Sequence, residues 1–491
     1  MSLRAWPLWL GWALAAAGAW QALRWLPHPD VAYYITAARQ LAEGAVLYVD
    51  IGDVNAPPIY WVHLLAHGLA SLLGIADEAM VVLLFAAVSA AVLLWLWRLL
   101  PRHAALLLPL LAALLFFPAQ SVFAEREHWA LLLMLPHVAA SLSERARGRT
   151  ALLAAALAGA ACMLKPPYLV LAPLALELWL AWQRRRWSSL WRPEALIAAA
   201  AFLATATFAI LVHPAYVERV LPQALAYYSA LDHSWGSLLA PRGVWLPLVG
   251  ILLLLALAFW QPLLLGRQQA TAGALAATAL GFVAAYLLQR KGFVYQWLPA
   301  LVLGAAAAGA ALLALRPRPR SLLLLPLVLP LLWAGYVSLQ QIENRERAWP
   351  DIEPMRRALL EAKAAGVFAL APELYPLFPA VTLAGARWLN TESHLWQLDG
   401  LYRLHPAPAG FRPPEQQTDE ERALRLALVG RFLLSEPDLV AVFRGSGRPT
   451  IGGSEFSYLD YYLSDPAFAE AWRGYALHGR IGDYDLYARQ Q

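Results

Sequence analysis

The sequence predicts a polytopic α-helical membrane protein of about 11–13 transmembrane helices, followed by a C-terminal soluble α/β domain. Three observations carry that expectation. Of the 491 residues, 60% are hydrophobic and only 14% are charged, whereas a soluble domain averages ~25% charged residues. Apolar runs long enough, or nearly so, to cross ~30 Å of hydrocarbon recur as far as residue 340. Beyond residue 341 the chain changes character, and charge, Pro, Gly and Asp return among short apolar runs.

The candidate spans are 5–26, 58–74, 79–97, 103–118, 127–142, 150–164, 167–183, 194–212, 243–263, 271–288, 296–315 and 321–340. Arg4 followed by "AWPLWLGWALAAAGAW" has the parts of a signal peptide with "AAAG" as its cleavage site. The apolar stretch runs on to Leu23, however, which favours a retained first span. Residues 1–340 therefore form the membrane domain, interrupted by a polar loop at 27–57, and 341–491 form an extracytoplasmic domain. In the tail, "GVFALAPELYP" and "YDLYARQQ" read as strands or strand ends. "TDEERALRLALVGRFLL" reads as an amphipathic helix opened by a Thr/Asp cap. The lone Cys162 excludes an intrachain disulfide and a Cys-based metal site. The net charge of +5 does not point to nucleic acid, because the arginines gather in short clusters between apolar runs.

Those clusters set the orientation. "SERARGR" (143–149), "QRRRWSSLWR" (183–192), "LLGRQQ" (264–269) and "RPRPR" (316–320) are the basic loops expected in the cytoplasm. Counting from them puts "LKPPY" (164–168), the segment 213–242, "LQRKGFVYQW" (288–297) and the tail outside. Counting from Arg4 puts 27–57 outside but "QSVFAEREHW" (120–129) inside, one crossing out of step. The run 103–118 resolves the conflict if it is a re-entrant or half-length helix. Its roughly 16 residues reach only about 24 Å. The outside placement of 120–129 respects four basic clusters rather than one.

With that topology, polar islands collect at one membrane surface, each at the end of an apolar span: Asp30 and its neighbours, then "EREH" (125–128), Lys165, and Arg290 with Lys291. A mouth lined by both signs of charge suits a substrate that is phosphorylated and chemically activated. Carboxylates can take a proton from an acceptor as general base. Lysine and arginine can hold a phosphate leaving group and neutralise developing charge. "DVAYYITAARQLAEG" has helical spacing and ends at Gly44, as an interfacial helix with a C-cap would. Asp30 then stands at its N-terminus, where capping and catalysis are both open. Asp50 and Asp53 in "VDIGD" read as a solvated turn, and Pro57-Pro58 as a helix start. Glu125, Arg126, Glu127 and His128 sit where charge is expensive. Glu–Arg pairing explains part of that cluster, and the His/Glu set is a weak metal signal without fixed spacing. Lys165, Arg290 and Lys291 either snorkel or bind an anion.

In this order, the islands resemble those of the GT-C superfamily of membrane glycosyltransferases, and most nearly the branch of protein O-mannosyltransferases and lipid A aminoarabinose transferases. The resemblance is carried by Asp30, Tyr33, Tyr34, Ala37, Leu41, Gly44, Tyr48, Asp50, Asp53, Pro57, Pro58 and Tyr60, with "LLG" (72–74) continuing it. "REH", "LKPPY" and "KGFVYQWLPA" look like later islands of bacterial members. The resemblance implies a GT-C fold, a polyprenyl-phosphate sugar donor, and an active site facing the periplasm or exterior of a bacterial inner membrane. It implies inverting transfer with Asp30 as base and Glu125, Glu127 and His128 as the second acidic motif. Lys165, Arg290, Lys291 and Tyr295 are then candidate ligands of the donor phosphate, and Tyr33, Tyr34, Asp53 and Asn55 candidate substrate contacts. Two departures stand out. Asn55-Ala56 occupies the place where relatives often carry Lys or His before the Pro-Pro pair. Asp30 is followed by Val31 rather than a second acid, so the metal-dependent mechanism of oligosaccharyltransferases is not implied. No cofactor and no metal ligand set is expected, although a divalent metal is not excluded.

The expected partners are thus the lipid-linked donor, membrane lipid, and a glycan, lipid or protein acceptor. The rival readings are a transporter or flippase for a lipid-linked sugar, and an inactive scaffold. A transporter predicts mid-membrane charges and repeated halves, whereas the charges here lie at span ends and no repeat is visible. "YPLFPA", "WLNTESHLW" and "FSYLDYYL" in the tail offer aromatic surface for sugar stacking or for a domain core.

Overall fold

Apolar content and helix length dictate most of the architecture. The computed structural model describes residues 6–24, 26–100, 102–240, 242–260, 268–314, 336, 339–340, 349–407, 410–444 and 456–490. The expected span 321–340 and the basic loop 316–320 lie essentially outside the described residues. The first helices are α1 (Trp6–Leu23), α2 (Pro29–Ala42), α3 (Pro58–Leu73) and α4 (Asp77–Leu99). A short α5 (Arg102–Ala105) leads into α6 (Leu108–Phe116), α7 (Arg126–Leu142), α8 (Arg149–Cys162), α9 (Leu171–Gln183) and α10 (Pro193–Val212). Then come α11 (Leu221–Tyr227), α12 (Trp235–Leu239), α13 (Arg242–Trp260), α14 (Gln269–Gln289) and α15 (Val294–Ala314). Four of these are long and apolar enough to span a membrane, with further apolar helices of 10–17 residues beside them. The protein is a multi-pass integral membrane protein.

The run 103–118 is broken. Its main helix, α6, has nine residues, about 14 Å at 1.5 Å per residue, too short to cross. All nine are buried, and α1 lies against them at very close range. A Cβ added at Gly11 would stand 2.6 Å from Pro109, and one at Gly18 2.8 Å from the Phe116 backbone. Small residues admit such close backbone approach inside a membrane. The chain then continues through the irregular segment 117–125, tolerable at membrane depth only because protein surrounds it. Gln120 donates to the carbonyls of Phe116 (2.7 Å) and Gly18 (3.2 Å). His128 closes the segment: its Nε2 donates to the Leu115 carbonyl (2.8 Å) and its Nδ1 accepts from the Ala124 N–H (3.2 Å). The chain thereby delivers Glu125 and Arg126 to the surface that carries His28 and Asp30, as a half-length helix requires.

Helix α2 differs from the interfacial helix expected. Val31 to Ala38 are all buried, because the C-terminal region covers the side that an interfacial helix would show to water. Thr36 Oγ1 meets Thr382 Oγ1 at 2.9 Å, Arg39 donates to the Thr382 carbonyl (2.8 Å), and Gln40 donates to the Trp388 carbonyl (2.6 Å).

That region is built on strands β1 (Gly366–Leu370), β2 (Arg387–Trp388), β3 (Leu439–Phe443), β4 (Tyr475–Ile481) and β5 (Tyr484–Arg489) in the order β2-β1-β3-β5-β4. β1 runs parallel to β2 and β3, while β5 is antiparallel to β3 and β4. Helices α16 (Leu377–Ala384), α17 (Trp396–Leu404), α18 (Asp419–Ser435), α19 (Tyr458–Leu463) and α20 (Pro466–Trp472) complete it. The expected cap of α18 is present, with the Thr418 side chain accepting the Glu421 N–H. The aromatic segments divide: Phe378, Tyr458, Tyr461 and Trp396 are buried, whereas Tyr375 and His394 line a cavity over the membrane part, with Trp396 in its wall.

Candidate active site

Asp30 does not cap α2. His28 occupies the N-cap position and Pro29 the first turn, so the Asp30 side chain is free to turn into the site. Arg126, at the first residue of α7, is its partner, with Nη2 at 3.5 Å from Asp30 Oδ2. The same guanidinium donates to the Tyr295 hydroxyl (3.1 Å) and stands 3.9 Å from Glu125. Arg126 is only 4% exposed, and its Nε has no hydrogen-bond partner.

Beside it, the His28 Nδ1 lies 2.6 Å from Glu125 Oε1, a carboxylate with no exposure at all. Burial works to lower the His28 pKa, but the charge and close contact of Glu125 more than reverse it, leaving it above the ordinary histidine value. The 3.3 Å approach of the Asp30 N–H to the same nitrogen is the weaker contact. Lys165 completes the set, donating to Glu127 at 2.6 Å and lying 5.0 Å from the Tyr295 ring centre.

Two cavities meet at these residues. The larger, of about 470 Å³, is floored by His28, Asp30, Tyr33, Tyr34 and Arg126 and roofed by the C-terminal region. The smaller, of about 250 Å³, carries Lys165 on its wall and shares Asn55, Arg126, Tyr228 and Lys291 with the first. Its far edge is apolar, and Leu225 and Leu288 there are 71% and 55% exposed. One chamber is thus polar and covered, and the other is cationic with an apolar rim.

Most of the site residues expected from the sequence converge here. Asp30, Tyr33, Tyr34, Asp53, Asn55, Lys291 and Tyr295 line the larger cavity, and Lys165 the smaller. Glu125 and Glu127 stand behind, paired with His28 and Lys165. Three expectations need correction. His128 is not at the site, because both its ring nitrogens hold the 115–124 backbone and its ring packs 4.1 Å from Phe85. Arg290 lines neither cavity: it ends α14 in a left-handed conformation, donates to the His233 carbonyl (3.1 Å) and faces Asp232 (3.7 Å). Asp53 is not a solvated turn. It is 5% exposed and accepts from Val54 N–H (2.7 Å), the Asn55 amide (2.6 Å) and the Tyr60 hydroxyl. Burial raises its pKa, opposed by the Tyr60 and Asn55 bonds. Its bonds shape the loop at the cavity wall, while Asp50 caps an exposed turn through the Val46 N–H (2.9 Å).

His28, His394, Tyr228 and Trp396 line the larger cavity without having been singled out in the sequence. His28 had a legible signal, two residues before Asp30. Tyr228 had none, and His394 and Trp396 lie in "WLNTESHLW", which read only as aromatic surface for sugar stacking or for a domain core. The loop carrying His394 is tied to the Asp53 loop: the Gly52 N–H donates to the Thr391 carbonyl (2.6 Å), and a Cβ at Gly52 would stand 2.5 Å from the Glu392 carboxyl. Burial pushes Glu392 up to about 7 and His394 down to about 4, so the His394 ring is neutral near neutral pH.

His28, Asp30 and Glu125 offer ligand atoms within 4.8 Å of one another, a donor set that suits a divalent cation. Arg126 and His28 already stand against these two carboxylates.

No family model and no curated protein sequence matches the chain. Among solved structures it is similar to ArnT from Cupriavidus metallidurans. The crystal structure of that protein bound to undecaprenyl phosphate matches at 15% identity and a TM-score of 0.57, covering 99% of this chain and 98% of that one. The apo structure matches at 15% identity and a TM-score of 0.57, covering 98% and 97%. The likeness at this identity is one of fold, and it runs nearly end to end through the membrane helices, the 27–57 loop and the C-terminal sheet. This chain has the fold of ArnT.

Proposed function

We propose that this protein is an integral-membrane glycosyltransferase that moves a sugar from a polyprenyl-phosphate carrier to an extracytoplasmic acceptor. It works in a bacterial inner membrane, with the two cavities facing the periplasm. The observation that carries the reading is the meeting of Asp30 and Arg126 where the two cavities join. Asp30 lines the larger cavity and Lys165 the smaller, with Arg126 on the wall of both, so a general base and phosphate-binding cations surround the place where the donor's anomeric carbon would lie.

In the mechanism, the carrier enters over the apolar rim at Leu225 and Leu288, and its phosphate reaches Arg126 and Lys165. The sugar lies in the larger cavity. An acceptor hydroxyl gives its proton to the Asp30 carboxylate as its oxygen bonds to the anomeric carbon. The bond from that carbon to the phosphate oxygen breaks, and the electron pair leaves with the carrier phosphate. This is a single displacement with inversion. Arg126, on the wall of both cavities, binds the leaving phosphate more strongly as its charge grows, which lowers the barrier rather than merely holding the donor. Lys165 adds a second positive charge, with Glu127 fixing its position.

The test is sugar transfer from radiolabelled polyprenyl-phosphate sugars in membranes, comparing wild type with Asp30→Asn at matched expression. A general base contributes ~10²–10⁴-fold, so the variant is expected to lose transfer by that factor while folding normally. Transfer unchanged by the substitution would remove Asp30 from the mechanism.

A further inference from the structure

The face of the membrane domain remote from the cavities carries a surface of its own. Helix α7 starts at Arg126 in the site and ends ~25 Å along at Leu142, and α8 brings the chain back to Lys165. Tyr168 lines the smaller cavity. From there α9 carries the chain away again as far as Gln183, and α10 returns it to His213, which is bonded to Trp61 at 3.1 Å. The turns 143–148 and 184–192 thus lie at the far ends of two helical hairpins. Arg192 pins them together: it grips both oxygens of Glu177 (2.8 and 2.7 Å) and donates to Ser141 Oγ (2.9 Å), while Arg184 reaches the Ser141 carbonyl (3.5 Å). Glu177 also meets His137 at 3.0 Å, so its charge is satisfied inside the protein. What remains outside is positive. Arg145, Arg147, Arg149, Arg184, Arg185 and Arg186 are exposed, and Glu144 is the only acid in either turn. Among the described residues, the Arg185 and Arg186 side chains have no partner. A 3₁₀ helix, Trp187–Trp191, follows them, and its two indoles are 63% and 75% exposed. Helix α10 beyond it is only 6% buried along its apolar span, so this corner of the protein meets lipid.

We propose that these two turns bind an anionic phospholipid in the leaflet opposite the cavities, its phosphate held by Arg184, Arg185 and Arg186 and its glycerol and upper chains set against Trp187 and Trp191. The site goes beyond the glycosyltransferase reading and does not depend on it. Charge complementarity names the occupant. A positive surface beside a bilayer attracts anionic headgroups, and guanidinium forks match the oxygens of a phosphate in pairs. A zwitterionic headgroup has no net charge to offer and gains less. The indoles point to lipid rather than to a soluble anion, because Trp settles at headgroup level, where its ring is in apolar surroundings and its N–H is wet. A soluble polyanion would engage the arginines and leave both indoles in water. Basic turns also orient a chain in the membrane. Orientation alone, however, requires neither exposed tryptophans nor the Arg192–Glu177–His137 cluster that fixes how the two turns meet.

The test places the full-length protein in micelles holding equal amounts of phosphatidylglycerol and phosphatidylcholine with the same acyl chains, and native mass spectrometry counts the lipids it retains. Wild type is expected to retain phosphatidylglycerol about tenfold over phosphatidylcholine. An arginine near a bilayer surface is worth about fivefold in affinity for anionic lipid. Arg184→Gln/Arg185→Gln/Arg186→Gln should therefore bring the preference down to about twofold or less. Trp187→Ala/Trp191→Ala should retain fewer lipids of both kinds at an unchanged preference. Arg357→Gln/Arg422→Gln/Arg473→Gln removes the same charge from exposed pairs of the C-terminal region and should behave as wild type. Absence of preference in wild type overturns the proposal, and so does a preference that survives loss of Arg184, Arg185 and Arg186. An equal loss in the C-terminal triple variant overturns it too, since net charge rather than a site would then select the lipid. Displacement of phosphatidylglycerol by tripolyphosphate at equal concentration would give the surface to a soluble phosphate instead.

Discussion

At the residue scale, the site is a charge-balanced cluster in which each member depends on another. Glu125 is wholly buried and leans on His28. Removing one partner of such a pair strands a charge, whereas removing both does not. His28→Ala is therefore expected to destabilise the protein by about 3 kcal/mol, the lower end of the usual range because Arg126 remains 3.9 Å from Glu125. The double variant His28→Ala/Glu125→Gln should be more stable than His28→Ala alone. Thermal unfolding in detergent for the four proteins of this cycle checks the coupling, and strictly additive effects would refute it. Arg126 was visible in the sequence as part of "EREH" and explicable as a mere pair for glutamate. Its true neighbours, Asp30 and Tyr295, lie 96 and 169 positions away, a closeness no local pattern encodes.

At the scale of elements, the seam between the 47–53 loop and the 391–395 loop decides whether floor and cover stay aligned. Gly52 is there because a side chain has no room. Gly52→Ala would bring its methyl to 2.5 Å from the Glu392 carboxyl, the movable end of a side chain, so the carboxyl must swing aside and the cost stays at or below the ~1 kcal/mol end of the overpacking range. Faster hydrogen exchange across 391–395 in that variant, relative to wild type, is the expected readout. Glu392 makes the seam sensitive to pH. Its folded pKa is raised from 4.5 to about 7 by burial, with the charge of Asp53 adding to the effect. The folded state then binds the proton more tightly than the unfolded chain. The seam's contribution is complete below about pH 4.5 and falls as pH rises through about 7. Wild type should lose more melting temperature between pH 5 and pH 8 than Glu392→Gln does. The same scale holds the main success and the main error of sequence reading. Helix α6 was legible as too short, since its length follows from counting. Helix α2 reads by its spacing as an interfacial helix, and nothing in that spacing reveals that Thr382, 346 positions beyond Thr36, lies against it.

At the scale of the whole molecule, the C-terminal region is a fixed cover. Thr36 and Thr382 touch at 2.9 Å across the join, so a Cys pair there, in a Cys162→Ser background, is expected to form a disulfide within the usual Cβ separation of ~3.5–4.5 Å. The cross-linked protein should retain most of its sugar transfer and unfold at a higher temperature than its reduced form. Loss of transfer on oxidation, restored by reductant, would instead show that the cover must lift in each cycle. The two cavities also exist only at this scale. The larger is made by residues between His28 and Arg403, and the smaller by residues between Val54 and Gln296.

The sequence by itself determined the class of the protein, because 60% apolar content and runs of membrane-spanning length leave no soluble alternative. It also determined which residues were chemically unusual, since a charge at the end of an apolar span is expensive and needs a reason. Asp30, Glu125, Glu127, Lys165 and Lys291 were found that way. Only the tertiary structure decided which of them share a site. Arg290 and Lys291 are adjacent, yet Lys291 faces both cavities while Arg290, held in a left-handed turn at the end of α14, faces neither. His128 follows Glu127 directly, yet it serves the backbone of the preceding loop. Position along the chain fixes a residue's chemistry and cost. Which way its side chain points, and what meets it there, depends on how helices far apart in sequence pack together.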